Sequence, residues 1–218
     1  MEIDRSKISP MMKQYLDTKD DYPDTILFFR VGDFYEMFFD DALLVSKTLE
    51  LTLTGKECGL EERAPMCGVP HHSSEIYVKK LIEAGYKVAI CEQLTDPSEG
   101  KGIVQRDVIR VVTPGTLIES SMLSDDNNNY ICCAYYDNQS CGMCFADIST
   151  GEVRLALVDG GKNLEPELVD LLSRYSPAEV IFNPEFLSLK TVLDFIKEKL
   201  GCSVTLRESE CFDPDLKK

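Results

Sequence analysis

The stretch Ile26-Leu27-Phe28-Phe29-Arg30-Val31-Gly32-Asp33-Phe34-Tyr35-Glu36 decides how this chain is read. Its apolar run, residues 26–29, reads as a buried strand, and Gly32 as the place where that strand stops. Residues 36–49 then carry a helical pattern. Phe34 and Glu36 are therefore expected at the turn where strand gives way to helix. An aromatic ring and a carboxylate two residues apart on such a turn can reach into one narrow site together. A weakened base step in a nucleic-acid duplex suits the pair: the ring wedges into the stack and the carboxylate reads a base edge. Local sequence alone favours a plainer assignment, a core aromatic followed by a first-turn helix acid, because aromatics near strand ends are commonly core.

Working outward, Ser9-Pro10 offers a capping hydroxyl and a proline at the first helical position. A short helix is expected to follow, with Met11, Tyr15 and Leu16 on one face, ending near Asp20. Residues 51–54 read as a strand and residues 55–70 as a loop rich in Glu, Gly and Pro. Within the segment 64–72, Ala64-Pro65-Met66-Cys67-Gly68-Val69-Pro70-His71-His72, two prolines and a glycine imply a rigid connection. Ser73 or Ser74 is expected to cap a helix that runs to Gly85. Strands are expected at 87–94 and 108–112, with a polar turn over 95–102. Residues 119–129 (Glu-Ser-Ser-Met-Leu-Ser-Asp-Asp-Asn-Asn-Asn) are polar, acidic and aperiodic, a linker composition. The expected division is a first domain over 1–118, a linker over 119–129 and a second domain over 130–218. The second half opens with strand candidates at 130–136, 142–148 and 152–158. A helix at 164–175, a strand at 179–182, a helix at 185–199 and a strand near 203–206 follow. Hairpins followed by β-α-β-α alternation indicate a mixed sheet with helices packed on it.

The 218 residues are 44% hydrophobic, enough for a core in each half. No apolar run approaches the roughly 18 residues needed to span a bilayer, and the charged N-terminus lacks a signal-peptide core, so a cytosolic chain with no membrane partner is expected. Nine cysteines, an odd number, argue for reduced thiols. Cys141-Gly-Met-Cys144 has metal-ligand spacing with Cys132-Cys133 close by. A single Cys-x-x-Cys without a second pair is poor support for zinc, and strand-like surroundings suit cysteine as a small hydrophobe. The adjacent His71 and His72 point apart and lack a carboxylate-histidine motif, so no metal is assigned there either.

The net charge is −15. Residues 1–120 hold 14 Lys and Arg against 21 Asp and Glu, and residues 121–218 hold 9 against 17. Only the stretch Lys101 to Arg110 is locally positive. A protein that grips DNA through its own field is basic along at least one face, so any such grip must come mostly from elsewhere.

Five segments in order resemble the N-terminal mismatch-recognition domain of the MutS family of DNA mismatch repair proteins. They are Ser-Pro-Met-Met-Lys-Gln-Tyr-Leu (9–16), Arg-Val-Gly-Asp-Phe-Tyr-Glu-Met-Phe-Phe-Asp-Asp-Ala (30–42), Ala-Pro-Met-Cys-Gly-Val-Pro-His-His (64–72), Val-Ala-Ile-Cys-Glu-Gln-Leu-Thr-Asp-Pro (88–97) and Val-Ile-Arg-Val-Val-Thr-Pro-Gly-Thr (108–116). Residues 130–218 resemble the connector domain that follows, most clearly at Ala-Asp-Ile-Ser-Thr-Gly (146–151). For Phe34 and Glu36 the resemblance favours the wedge over the plainer core assignment. It implies two α/β domains: a mixed-sheet mismatch-recognition domain, then a ribonuclease H-like connector. It implies that Phe34 stacks into a mismatched step and that Glu36 hydrogen-bonds the displaced base. A carboxylate near phosphates has to accept from a base N–H or be protonated and donate, and burial against DNA would favour the protonated form. A mismatched step unstacks more easily than a paired one, so a wedge discriminates by deformation.

Further candidate DNA contacts are Met66 and Gln93 by resemblance, with Lys56, Arg106 and Arg110 as phosphate contacts. The family implies mismatched double-stranded DNA as partner, a homodimer with one inserted wedge, a possible partner protein (MutL) on the connector, and a bacterial cytoplasmic, nucleoid-associated setting. No Gly-x-x-x-x-Gly-Lys-[Ser/Thr] loop occurs, and Gly160-Gly161-Lys162-Asn163 lacks its spacing. The family's ATP and Mg, with its ATPase, lever and clamp domains, are thus expected beyond residue 218. The chain reads as a fragment, or a short relative, that does not hydrolyse ATP. Two rival readings are a stand-alone acidic adaptor and a metal-dependent nuclease using Asp137 and Asp147 on the ribonuclease H-like half. Both aspartates read more simply as turn acids.

Overall fold

A computed structural model describes residues 5, 7–95, 104–118, 128–213 and 215. The chain divides into two compact units, Met1–Thr113 and Pro114–Lys218. The polar stretch 119–127, most of the expected turn at 95–102, and Lys101 lie outside the described residues.

In the first unit, α1 (Pro10–Asp21) starts as its sequence demands: Ser9 Oγ accepts from the Met12 N–H at 3.4 Å, with Pro10 in the first turn. Met12, Tyr15 and Leu16 are its buried residues, at the i, i+3, i+4 spacing of one helical face, while Met11 is only partly buried. The other elements are β1 (Thr25–Val31), β2 (Phe34–Phe38), α2 (Phe39–Thr48), β3 (Thr54–Lys56), β4 (Ala64–Pro70), α3 (Ser74–Glu83), β5 (Lys87–Gln93) and β6 (Arg106–Val112). They form a six-stranded sheet in the order β3-β4-β2-β1-β5-β6. β1 runs parallel to β5, and the other pairs are antiparallel.

The structure departs from several expectations. Phe34 and Glu36 do not sit at a strand-to-helix turn; they belong to β2, and the helix begins only at Phe39. The run Phe-Tyr-Glu-Met-Phe is short and aromatic-rich. It pairs with β1 on one side and β4 on the other, so sheet formation overrides its helical look. Residues 64–70 are not loop but the strand that makes this second pairing. The strand expected at 51–54 lies instead at Thr54–Lys56, against β4. Gly32 does end β1, with φ +58° in a two-residue hairpin turn closed by the Val31–Phe34 pair. Gly85, at φ +89°, follows the end of α3, but neither Ser73 nor Ser74 caps that helix through a side chain; a short 3₁₀ turn, His71–Ser73, leads into it.

The second unit builds a five-stranded sheet in the order β11-β10-β7-β8-β9. Its strands are β7 (Tyr130–Tyr136), β8 (Ser140–Asp147), β9 (Glu152–Asp159), β10 (Glu179–Phe182) and β11 (Ser203–Leu206). The first three form an antiparallel meander, and β10 runs parallel to both β7 and β11, a ribonuclease H-like arrangement. α4 (Leu164–Tyr175) buries Leu164, Leu168 and Leu172, four residues apart, against Cys132, Ala134, Met143 and Phe145. The helix expected over 185–199 is divided into a 3₁₀ turn at Pro184–Ser188, α5 (Lys190–Phe195) and a π turn at Ile196–Leu200. Asn183, fully buried, joins β7 to this region: Tyr136 N–H donates to its Oδ1 at 2.9 Å and its Nδ2 donates to Tyr136 O at 2.8 Å.

Candidate functional site

Directly paired residues on neighbouring strands share a face. The register Val31–Phe34, Phe29–Glu36 and Glu36–Gly68 therefore sets Phe34, Glu36 and Phe38 along one face of the first sheet, the face under α1. Exposure falls along that row. Phe34 is 47% exposed, Glu36 is largely buried, and Phe38 is completely buried beside Tyr15 and α1. The aromatic ring thus stands clear at the hairpin end while its strand is fixed at the other.

That fixed end is polar as well as apolar. Tyr15 Oη donates to Asp41 Oδ2 at 3.1 Å and accepts from the Phe38 N–H at 3.3 Å. Asp41, buried at the start of α2, also accepts from the Leu27 N–H and from Lys19 Nζ, each at 2.9 Å. Burial, then the Asp41 charge, pushes the Tyr15 hydroxyl well above its ordinary pKa, so it serves as a neutral donor.

The exposed end is held by different residues. The Gly32 N–H donates to Gln93 Oε1 at 3.0 Å, and Arg30 Nε donates to Gly32 O. On the opposite face Tyr35 Oη donates to Glu92, which also pairs with Arg30 at 3.5 Å. Burial, then the bond to Glu92, raises the Tyr35 pKa.

Glu36 Oε2 accepts from Lys56 Nζ, which reaches across β4 from β3, with its ammonium 5.5 Å from the Phe38 ring centroid. Gly68, directly across from Glu36, leaves that place without a side chain: an added Cβ would lie 3.7 Å from Glu36 Cγ and 3.3 Å from Tyr35 O. On the other side of Glu36, the Arg106 guanidinium lies 4.8 Å over the Phe29 ring. Arg106 donates to Arg30 O at 2.7 Å, Gln14 Oε1 at 2.9 Å and Val104 O at 3.1 Å. Burial lowers its pKa, opposed in part by the Glu36 carboxylate.

Of the residues singled out in the sequence, Phe34, Glu36, Lys56, Gln93 and Arg106 come together on one face. Gln93 gives its Oε1 to the hairpin, and Arg106 donates to Arg30 O, Gln14 Oε1 and Val104 O. Met66 stands between Thr54 and Phe38 and packs at the edge of the core. Arg110 pairs with Ile90, on the face of Arg30 and Tyr35 rather than that of Phe34. Sequence reading passed over Arg30, Glu92, Tyr15 and Asp41 as supports.

The second unit's candidate acids sit apart. Asp147 accepts from Ser149 Oγ at 2.6 Å and from the N–H groups of Ser149, Asn129 and Thr150. Asp137 accepts from the Gln139 and Ser140 N–H groups in the β7–β8 turn. They lie at opposite ends of β7, about 20 Å apart at about 3.3 Å per residue. Cys141 and Cys144, an odd number of positions apart on β8, face opposite sides of the sheet. Among the described residues no group of three or more His, Cys, Asp and Glu side chains converges as a metal site. A Cβ on Gly160 would lie 1.8 Å from Gln139 O, so this glycine serves close backbone packing. Among the described residues no helix is long and apolar enough to cross a membrane.

Fold and site together define a two-unit mixed α/β protein that carries an exposed aromatic and a paired carboxylate on a braced hairpin. The chain belongs to the MutS family: the family described as MutS domain I matches residues 9–121 and that described as MutS domain II matches residues 129–218. Relatives named DNA mismatch repair protein MutS include that of Clostridioides difficile (strain 630), 52% identical over 198 residues, or 91% of this chain and 20% of the relative. That of Acetivibrio thermocellus is 47% identical over 210 residues, 96% of this chain and 24% of the relative. That of Alkaliphilus oremlandii is 53% identical over 176 residues, 81% of this chain and 20% of the relative. The chain spans about a fifth to a quarter of the length of these relatives.

Proposed function

We propose that this chain is the mismatch-sensing part of a DNA mismatch repair protein. Phe34 enters a mismatched base step from the minor groove, and Glu36 meets the displaced base. The observation that carries this reading is the row Phe34, Glu36, Phe38: an exposed ring and a carboxylate on one face of a strand whose far end is locked under α1. A wedge needs such rigidity, because unstacking a step costs a few kcal/mol that a floppy ring would not recover. The second unit relays the state of the first to ATPase and clamp domains of a longer protein, which bind ATP and Mg, form the homodimer and complete the grip on DNA. Exposed Val153, Leu155 and Leu157 on β9 support a protein contact there, such as the repair partner MutL. The protein acts in the bacterial cytoplasm at the nucleoid. The turn bonds of Asp137 and Asp147 speak against a nuclease.

The test compares Phe34→Ala with the unaltered residue in the longest protein that carries this chain, on homoduplex and single-mismatch DNA. Loss of mismatch preference is expected. Equal discrimination by both proteins overturns the reading, and so does an unaltered protein without any preference. For the 218-residue chain alone, with its charge of −15, only weak binding that disappears at physiological salt is expected.

A further inference from the structure

The pairing of Lys56 with Glu36 has a function of its own, and it deepens the mismatch-sensing reading on which it rests. In the unbound chain the Glu36 carboxylate, the group assigned to the displaced base, is already engaged by the Lys56 ammonium. Glu36 cannot turn fully to a base without loosening that pair. Lys56 stands on the sheet face that carries Phe34, the face a duplex seated on that ring would meet with its phosphates. The other cation beside Glu36, Arg106, is committed to Arg30 O, Gln14 Oε1 and Val104 O and is not free to make the exchange.

We propose that Lys56 is a specificity-determining switch cation. It holds Glu36 in the absence of DNA and on intact duplex, and passes to a backbone phosphate only when Glu36 engages a displaced base. Affinity and base recognition are thereby coupled, since a mismatch gains one phosphate contact that an intact duplex lacks. An ordinary phosphate-binding lysine would strengthen both duplexes alike.

Counterion release makes the difference measurable. Each phosphate neutralised steepens the fall of log affinity with log salt by about 0.9. Titrations of the 218-residue chain with homoduplex and single-mismatch DNA, over a low-salt series, are expected to differ in slope by about that amount. This corresponds to about a 3.5-fold change in the affinity ratio for each fourfold change in salt. Lys56→Gln is expected to make the two slopes equal, and Lys56→Arg to keep them apart. Equal slopes in the unaltered chain, or a difference that survives Lys56→Gln, overturns the proposal. A second measurement needs no DNA: the ¹⁵N resonance of the Lys56 ammonium is expected to shift in Glu36→Gln, and an unmoved resonance overturns the pair itself. Failure of the mismatch reading looks different. There the unaltered chain shows no mismatch preference at any salt, while the ammonium shift persists; the exchange then falls with that reading and the pair alone stands.

Discussion

The main-chain N–H of Gly32 and the side-chain oxygen of Gln93 are 3.0 Å apart, a bond that ties the tip of the β1–β2 hairpin to the end of β5. Its chain separation is 61 residues. The hairpin that presents Phe34 is therefore held from outside itself, by a strand parallel to its first arm.

Gln93→Ala tests that tie. A hydrogen bond of this kind contributes about 0.5–1.5 kcal/mol, and the loss is expected to stay local. Amide hydrogen exchange at Gly32 should quicken about tenfold, corresponding to about 1.4 kcal/mol of local opening. Exchange that stays unchanged would mean the turn is rigid without Gln93.

Phe34→Ala separates function from stability. A ring 47% exposed contributes little to the core, so the urea midpoint of the first unit is expected to move by no more than about 0.5 kcal/mol in stability. A loss of several kcal/mol would show that the ring is structural and would remove its claim to be a wedge.

Tyr15→Phe acts at the other end of β2. It deletes the donor to Asp41 and the acceptor for the Phe38 N–H while leaving the ring packed on Phe29 and Phe38. Leaving buried polar groups short of partners costs about 1–3 kcal/mol, which chemical denaturation of the first unit would register. Stability equal to that of the unaltered chain would mean that Lys19 and the Leu27 N–H satisfy Asp41 alone.

Asp147 gives the second unit one source of acid sensitivity. Burial pulls its pKa up, but the Ser149 hydroxyl and the Asn129, Ser149 and Thr150 N–H groups outweigh burial, and the net shift is downward. A native value below the unfolded value, about 3.9, means that the contribution is complete above that pH and is lost as pH falls through the native value. Asp147→Asn is expected to be less stable near neutrality and to lose less stability between about pH 5 and about pH 3. Urea midpoints followed by circular dichroism across that range check both statements. Parallel pH curves for the two proteins would show that the charged carboxylate is not what these donors bind.

Legibility of the fold followed the range of the forces behind each element. Leu164, Leu168 and Leu172 repeat at helical spacing, and the helix at 164–175 and the strand at 179–182 appear where that pattern places them. Gly32 marked the end of β1 because a positive φ is a local demand. β2 was not legible, since five residues between a turn and a helix carry too little pattern of their own. Its identity comes from pairing with Ala64–Pro70, about thirty residues further along. The five ordered segments singled out Phe34 and Glu36, which the register sets on one face, whereas the residues that hold them were not legible. Lys56 reaches Glu36 from 20 residues away and Gln93 reaches Gly32 from 61, and no short motif encodes such a meeting.

The two-residue turn between Val31 and Phe34 also works as a phase setter. Because side chains alternate along a strand, one extra residue at Gly32-Asp33 would carry Tyr35 and Met37 onto the α1 face and send Phe34 and Glu36 to the far side. Every residue of the site would still be present in the sequence, yet the ring and the carboxylate would face away from Lys56. The count of residues in that turn thus decides, as much as the side chains that follow it, which of them share a face with Lys56.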